Sequence, residues 1–480
     1  MAKKKSKKML SAFSIILILI FGLGILSHLL PNAKFVGEDI VNGSGTVGAS
    51  LSQILMAPIL GFEDAVDVAI FVMVLGGFLA IINRTEAFET GIKVLIQKLK
   101  GRELILIPIL MLIFSIGGTT YGMLEETVGF YALLAAAMMA AGMDPLVGSA
   151  VILLGAGSGV LGSTINPFAT GAAISALPEA IKVNQGLIIL IATFLWLTTL
   201  LISIIFVMKY AAKVKADKGS TFLSLREQQA AEKKYGKFST KMDKKVKLSG
   251  KQKTTLILFV LTFVVMIVGF IPWGEFNITL FDKFTGWLTG ASLGNWWFYE
   301  AALWFLIMSI VIGIVNGMGE NGIVDAFVDG ADDMVGVVLV IAVARGASVL
   351  MGITHLDNYI IYNSAEFLSH LPEVLFVPLN YLLHVVLSVL VPSSSGLATL
   401  STPIIGPLSA QLHYNPEVSI MSMVAANGLV NLITPTCGAI MGGLALAKVE
   451  YSTWFRWALK VVVTIAIVNI IVLSIFAVIL

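Results

Sequence analysis

The chain has 480 residues, of which 57% are hydrophobic and only 12% charged, with a mean hydropathy of +0.93. Soluble domains carry about 25% charged residues, so a soluble enzyme is excluded, no nucleic-acid partner is expected, and an all-α polytopic membrane protein is. The single cysteine, Cys437, excludes an internal disulfide and a thiolate metal cluster, while a net charge of +2 says nothing until its distribution is read.

In chain order, the basic run "MAKKKSKKM" precedes the apolar "LSAFSIILILIFGLGILSHLL". That stretch is long for a signal-peptide core and shows no small-x-small cleavage site, so an uncleaved first helix is expected at 9–30. Further spans, each long enough to cross, are expected at 66–84, 145–161, 186–210, 254–273, 299–317, 335–352, 418–434 and 456–480. Residues 85–101 place apolar side chains at helical spacing with Lys opposite, as a helix lying in the membrane interface does. The acidic "GIVDAFVDGADDMVG" reads as its counterpart, with Asp325, Asp329, Asp332 and Asp333 on a solvated face rather than in a metal cluster. Residues 209–253 read as a basic linker, suited to anionic lipid headgroups or acting only as a solvated topology signal. Trp296, Trp297, Trp454 and Trp457 flank spans and read as interface anchors.

Two stretches, 103–143 and 373–412, are apolar but interrupted by "SIGGTTYG" and "VPSSSGLAT". Their arms look short for crossings, so each is expected to enter and leave on one side as a hairpin. With that topology 27 of the 31 Lys and Arg fall on one side, which the positive-inside rule makes cytoplasmic. The N-terminus is then cytoplasmic and the C-terminus outside, in the plasma membrane. The first hairpin opens to the cytoplasm and the second to the outside.

The hairpins begin two similar runs. "GGTTYGMLEET" leads through Asp144-Pro145 and a span into "GSGVLGSTINPFATG"; "VPSSSGLATLST" leads through Asn415-Pro416 and a span into "NGLVNLITPTCGAIMGG". The same order on opposite sides predicts an inverted repeat, 1–208 and 254–480 about the 209–253 linker, with broken helices at 145–171 and 418–446. Irregular backbone survives in a bilayer only inside protein or along a wet cavity, so the four interruptions are expected to meet at one mid-membrane site.

The segments "YGMLEETVGFY", "GSTINPFATGAAISA", "DGADDMVGVVLVIAVARGASVLM", "VPSSSGLATLSTPIIGPL" and "ITPTCGAIMGGLALAKVEYSTWFRW" are spread over nearly the whole chain after residue 100. Together they resemble the basic amino acid antiporter family, the arginine/ornithine exchangers of the ion transporter superfamily, whose members have often been labelled four-carbon dicarboxylate carriers. The resemblance implies fixed and mobile domains with elevator-type motion, and a homodimer. His355 in "GITHLDNYII" departs from the pattern.

Glu125 and Glu126 lie just beyond the first tip. An intramembrane carboxylate marks function by default, and a substrate cation would offset its cost. Adjacent helical residues diverge by about 100°, so one is expected to contact substrate and the other to fix the tip or meet Arg345. Capping of backbone N–H groups, or proton or sodium coupling, are the other roles open to them. Thr119 and Thr120 belong to the same tip. Asn166, Thr170, Thr434 and Thr436 at the helix breaks suit the ends of an amino acid, or serve only to satisfy freed carbonyls. Ser393, Ser394, Ser395 and Gly396 suit a carboxylate, or simply cap a turn. Arg345 is expected to pair with an acid such as Glu125, Asp332 or Asp333, or to attract a substrate carboxylate. Asp357 is expected outside the site, and His384 as a satisfied buried histidine rather than a proton carrier.

The expected function is antiport of arginine for ornithine, with sodium- or proton-coupled carboxylate transport as the alternative. No Walker-type GxxxxGK[ST] occurs, and no nucleophile–base set or metal cluster is evident. No enzyme activity, cofactor or metal is expected; the partners are small amino-acid substrates and membrane lipid.

Overall fold

The structure, a computed structural model, describes residues 12–36, 39–99, 102–178, 180–236, 247–271, 273–276, 278–283 and 285–480. The basic run at 1–9 and residues 237–246 of the linker lie outside the described residues. The described residues are mainly helical, and the strands among them are one two-residue pair, Phe35–Val36 with Asp39–Ile40. Eight helices among the described residues are long and apolar enough to cross a membrane: this is a multi-pass membrane protein.

The first helices are α1 (Ala12–Leu29), α2 (Leu51–Asp64), α3 (Val66–Arg84) and α4 (Ala87–Leu99). The first interrupted stretch forms α5 (Leu106–Tyr121) and α6 (Phe130–Ala140), followed by α7 (Pro145–Gly162), the short α8 (Ala172–Ser175) and α9 (Gln185–Ala216). The linker carries α10 (Leu225–Tyr235). Then come α11 (Gly250–Phe270), α12 (Phe298–Asn316), α13 (Glu320–Thr354) and α14 (Leu356–Leu368). The second interrupted stretch forms α15 (Glu373–Leu390) and α16 (Ser394–Gln411), followed by α17 (Pro416–Val430), α18 (Gly438–Ala447) and α19 (Tyr451–Ile479).

α9 is a ruler for the two interrupted stretches. Glu103, just before α5, pairs with Lys215. Asp144, just after α6, accepts from the Tyr210 hydroxyl at 2.6 Å. Both ends of 103–143 therefore meet the C-terminal end of α9, although Glu103–Tyr121 is by length and composition sufficient to cross. At the other end of α9, the Asn184 N–H donates to Glu417 at the start of α17, at 2.6 Å. Asn184 and Tyr210 are about 39 Å apart along a helix, more than the hydrocarbon thickness of about 30 Å. The two halves of the second interrupted stretch meet: the Tyr414 hydroxyl donates to the Leu371 carbonyl at 2.9 Å, and His384 Nε2 of α15 meets Ser401 Oγ of α16 at 2.6 Å. His384 Nδ1 meets the Asn380 carbonyl at 2.8 Å, so this buried histidine has both nitrogens in hydrogen bonds.

The helices after the two interrupted stretches start alike. Asp144 caps α7 and Asn415 caps α17, each followed by Pro at the first helical position, where a missing N–H costs nothing. The two helices cross antiparallel through glycines: Gly157 lies against Leu432, and Gly428 against Leu161. α5 runs beside α7 through the same kind of contact, Gly118 against Ala156 and Gly159 against Ser115. Small residues of this sort let helices touch without a hydrophobic driving force.

Several expectations change. The acidic segment is no separate interfacial helix but the first half of α13, whose 35 residues reach about 52 Å; Asp325, Asp329, Asp332 and Asp333 are exposed there. The expected span 66–84 is preceded by a helix that sequence reading missed, α2, and the pair lies antiparallel along α13. Gly61 touches Ala342 and Gly346, Gly76 touches Gly330, and Arg84 pairs with Asp329 at 3.1 Å. The expected span 418–434 stops at Val430, because the chain breaks before Thr434. Trp296, Trp454 and Trp457 are buried, not anchored at a surface; Trp454 Nε1 donates to the Leu432 carbonyl at 2.9 Å. The linker is more than a solvated connector: buried Glu227 of α10 accepts from the Glu450 N–H at 2.8 Å and the Thr453 hydroxyl at 3.1 Å.

The α5–α7 crossing carries a test. A Cβ on Gly159 would lie 2.1 Å from the Ser115 carbonyl oxygen, and backbone cannot yield as a side chain can. Gly159→Val is expected to cost about 1–3 kcal/mol or more, read as a lower melting temperature and monodisperse yield in detergent; an unchanged melting curve would contradict the crossing.

Candidate functional site

Each tip is shaped by a local rule. α5 ends at Gly122, whose φ of +79° is left-handed and natural for glycine, and a tight turn at Glu125–Thr127 follows. Glu126 is buried and folds back, its carboxylate accepting the Leu124 N–H at 3.0 Å. Glu125 is half-buried. At the second tip Ser393 caps α16, accepting the Gly396 N–H at 3.2 Å. The Ser394 hydroxyl donates to Asn427 Oδ1 at 2.7 Å, and Asn427 and Asn431 both donate to the Pro392 carbonyl, at 3.3 and 3.0 Å.

The breaks are equally well supplied. α7 stops at Ser163, whose hydroxyl accepts from Asn166 Nδ2 at 2.9 Å while Asn166 Oδ1 accepts the Phe168 N–H at 2.9 Å. The Thr170 hydroxyl donates to the Ser163 carbonyl. After α17, Tyr451 and Trp454 take the carbonyls of Ile433 and Leu432, and the Thr436 hydroxyl donates to the Val389 carbonyl at 3.2 Å. Freed backbone groups that would cost several kcal/mol each in hydrocarbon are thereby answered.

Both tips and both breaks border one cavity of about 200 Å³, smaller than the roughly 300–1,000 Å³ typical of pockets for drug-sized ligands. Tyr121, Gly122, Glu125 and Glu126 line it from the first tip and Pro392 with Ser393, Ser394 and Ser395 from the second. Asn166 and Phe168 come from one break, and Asn431, Thr436 and Cys437 from the other. The junction of α2 and α3 adds Asp64 and Asp67, α13 adds Arg345, and the start of α12 adds Trp297 and Phe298. Asp64 Oδ2 lies 3.7 Å from Arg345 Nη1, and Asp67 Oδ2 accepts from Trp297 Nε1 at 3.1 Å. The wall thus holds four carboxylates, Asp64, Asp67, Glu125 and Glu126, and one guanidinium.

Of the residues singled out from the sequence, Glu125, Glu126, Asn166, Ser393, Ser394, Ser395, Thr436 and Arg345 border the cavity. Thr119, Thr120, Thr170, Gly396 and Thr434 do not line it. Thr119 accepts the Thr164 N–H at 3.1 Å, the Thr120 hydroxyl donates within α5 to the Ile116 carbonyl at 2.7 Å, and Thr434 Oγ1 lies 2.7 Å from Thr436 Oγ1. Among the described residues Arg345 pairs with Asp64, not with Glu125, Asp332 or Asp333; the last two lie on its own helix, about 18 Å or more away along the axis. His355 forms the left-handed corner between α13 and α14, and half-buried Asp357 accepts the Asn358 N–H at 2.7 Å, off the cavity wall. Sequence reading missed Asp64, Asp67, Tyr121, Trp297 and Asn431 as residues of the wall. For the two aspartates a signal exists: "GFEDAVDVAIF" sets acids inside an apolar stretch, as "EETVGF" does.

The family model described as "DcuC: C4-dicarboxylate anaerobic carrier" matches residues 9–478. The chain belongs to this family. A Haemophilus influenzae relative, named only as an uncharacterized protein, is 28% identical over 412 residues, covering 86% of this chain and 75% of its own. An Escherichia coli K12 relative named "Putative basic amino acid antiporter YfcC" is 27% identical over 406 residues, covering 82% of this chain and 74% of its own. Among solved structures, Neisseria gonorrhoeae MtrF, from a class of antimetabolite efflux pumps, aligns at 17% identity over 99% of this chain and 96% of that one, with a TM-score of 0.46. The Alcanivorax borkumensis YdaH transporter aligns at 14% identity over 97% of this chain and 98% of that one, with a TM-score of 0.48. DcuC-family membership makes the protein a membrane transporter.

Thr119 separates support from lining. Thr119→Val removes a hydroxyl that accepts from the Thr164 N–H and donates to the Thr164 hydroxyl, and is expected to cost about 1–3 kcal/mol of stability with little change in substrate KM. A large KM increase with an unaltered melting curve would put Thr119 in the wall instead.

Proposed function

We propose that this DcuC-family member is a secondary antiporter of basic amino acids, exchanging arginine and ornithine. The carrying observation is the charge of the cavity wall, four carboxylates against one guanidinium. Even leaving aside Glu126, which is folded back onto the Leu124 N–H, carboxylates outnumber the one guanidinium, so a dicarboxylate would enter a wall already rich in its own charge, whereas a guanidinium or ammonium would relieve it. In this reading Glu125 meets the substrate's side-chain cation, and the hydroxyls of Ser393 and Ser395, with Arg345, receive its carboxylate, while Ser394 keeps its bond to Asn427. Glu126 holds the tip. The name of the E. coli relative points the same way. Arginine and ornithine both carry one net positive charge, so one-for-one exchange moves no net charge and needs no ion gradient.

The rest of the reading concerns arrangement. The segments 103–143 and 373–412 act as re-entrant hairpins from opposite faces of the plasma membrane, within inverted repeats 1–208 and 254–480. The N-terminus is cytoplasmic and the C-terminus outside. The hairpins and broken helices move together, elevator-fashion, in a homodimer. Both ends of the first hairpin at one end of α9, and Glu417 at the other, support the opposed entry.

The rival reading, transport of four-carbon dicarboxylates, is favoured by the family description and by Arg345 with the serine tip. Counterflow in proteoliposomes decides. Vesicles loaded with ornithine should accumulate radiolabelled arginine and not succinate, and Glu125→Gln should lower arginine kcat/KM by about ten-fold or more, as loss of a charge-assisted contact predicts. Succinate counterflow without arginine counterflow would overturn the proposal.

A further inference from the structure

We infer that Asn431 Oδ1 is the acceptor for the α-ammonium group of the transported amino acid, an assignment that rests on the basic amino acid reading. Asn431 sits one residue beyond α17, in the second helix break, 4% exposed and in the cavity wall. Its Nδ2 donates to the Pro392 carbonyl and to Asn427 Oδ1, both at 3.0 Å. Those two acceptors fix the amide's orientation, because a flipped amide would set oxygen against oxygen. Oδ1 is left as a buried acceptor with no partner among the described residues. Leaving such a group unanswered costs about 1–3 kcal/mol.

An acceptor needs a donor, and the position says which one. Asn431 bonds the carbonyl of Pro392, the residue immediately before Ser393, Ser394 and Ser395. A substrate carboxylate seated at that serine tip carries its α-ammonium one carbon away, beside Asn431. A dicarboxylate offers no donor there. The side-chain guanidinium is better matched by Glu125, because a carboxylate accepts two of its N–H groups side by side while a single amide oxygen cannot. Nδ2 also ties Asn431 to the tip, directly at Pro392 and through Asn427 to Ser394. The acceptor is therefore aimed by the closed second hairpin and would lose its aim if the tip opened.

The test compares arginine with 5-guanidinopentanoate, which lacks only the α-amino group, in proteoliposome uptake by the parent and by Asn431→Leu. The parent is expected to prefer arginine in kcat/KM. In Asn431→Leu that preference should fall by about ten-fold or more, through arginine alone, as loss of one hydrogen bond to a charged group predicts. Damage to the tip would slow both compounds equally and leave the ratio unchanged, which would overturn the assignment. Should Asn431→Leu transport too slowly, displacement of bound radiolabelled arginine by the two compounds from detergent-solubilised protein gives the same ratio. Arginine exchange with an unaltered preference removes only the α-ammonium subsite; succinate exchange without arginine exchange removes the basic amino acid reading and the subsite with it.

Discussion

Backbone that leaves a helix in a bilayer must find its hydrogen-bond partners within the protein, and the structure around the cavity follows from that constraint. Two helices stop and restart at Ser163–Asn166 and Asn431–Cys437, and the two interrupted stretches turn at Gly122 and Ser393. Partners come from Thr, Asn, Ser, Tyr and Trp side chains grouped at these points: Asn166 for Ser163 and Phe168, Trp454 for Leu432, Asn427 and Asn431 for Pro392. Because α7 and α17 cross antiparallel through glycines, their breaks are held near one another. The polar groups that solve a local backbone problem together make a polar cavity.

The acids follow from a second interruption, between α2 and α3. The chain there runs antiparallel to α13, and its junction at Ala65 sets Asp64 and Asp67 opposite the Arg345 turn. Asp64 closes α2 at the helix terminus where the macrodipole disfavours negative charge, so its place is not explained by helix stability. Its 3.7 Å approach to Arg345 leaves the wall with more carboxylate than guanidinium. That imbalance is the physical basis for reading the site as one that takes a cation.

Much of this could be read from residues. The tips were legible because a Gly/Ser/Thr knot inside an apolar run would leave a plain crossing helix with polar groups in hydrocarbon. The starts of α7 and α17 were legible because Asp-Pro and Asn-Pro are strong helix openings. The full length of α13 was not, since its first half is acidic and a hydropathy window ends where charge begins. α2 was missed because its fourteen residues are too few for a span. The burial of Trp454 was hidden for a different reason: flanking Trp marks an interface in many spans, and only the break at 431–437 shows that this one serves a freed carbonyl. Asn431 lacked any local signal, since its importance comes from Pro392, 39 residues earlier in the chain.

The most direct measurement uses Cys437, the chain's one thiol, buried in the cavity wall. Its rate of modification by a small thiol reagent, followed by mass spectrometry in membrane vesicles, should fall several-fold with arginine or ornithine present and stay unchanged with succinate. Protection by succinate with none by arginine would contradict a cation-selecting cavity.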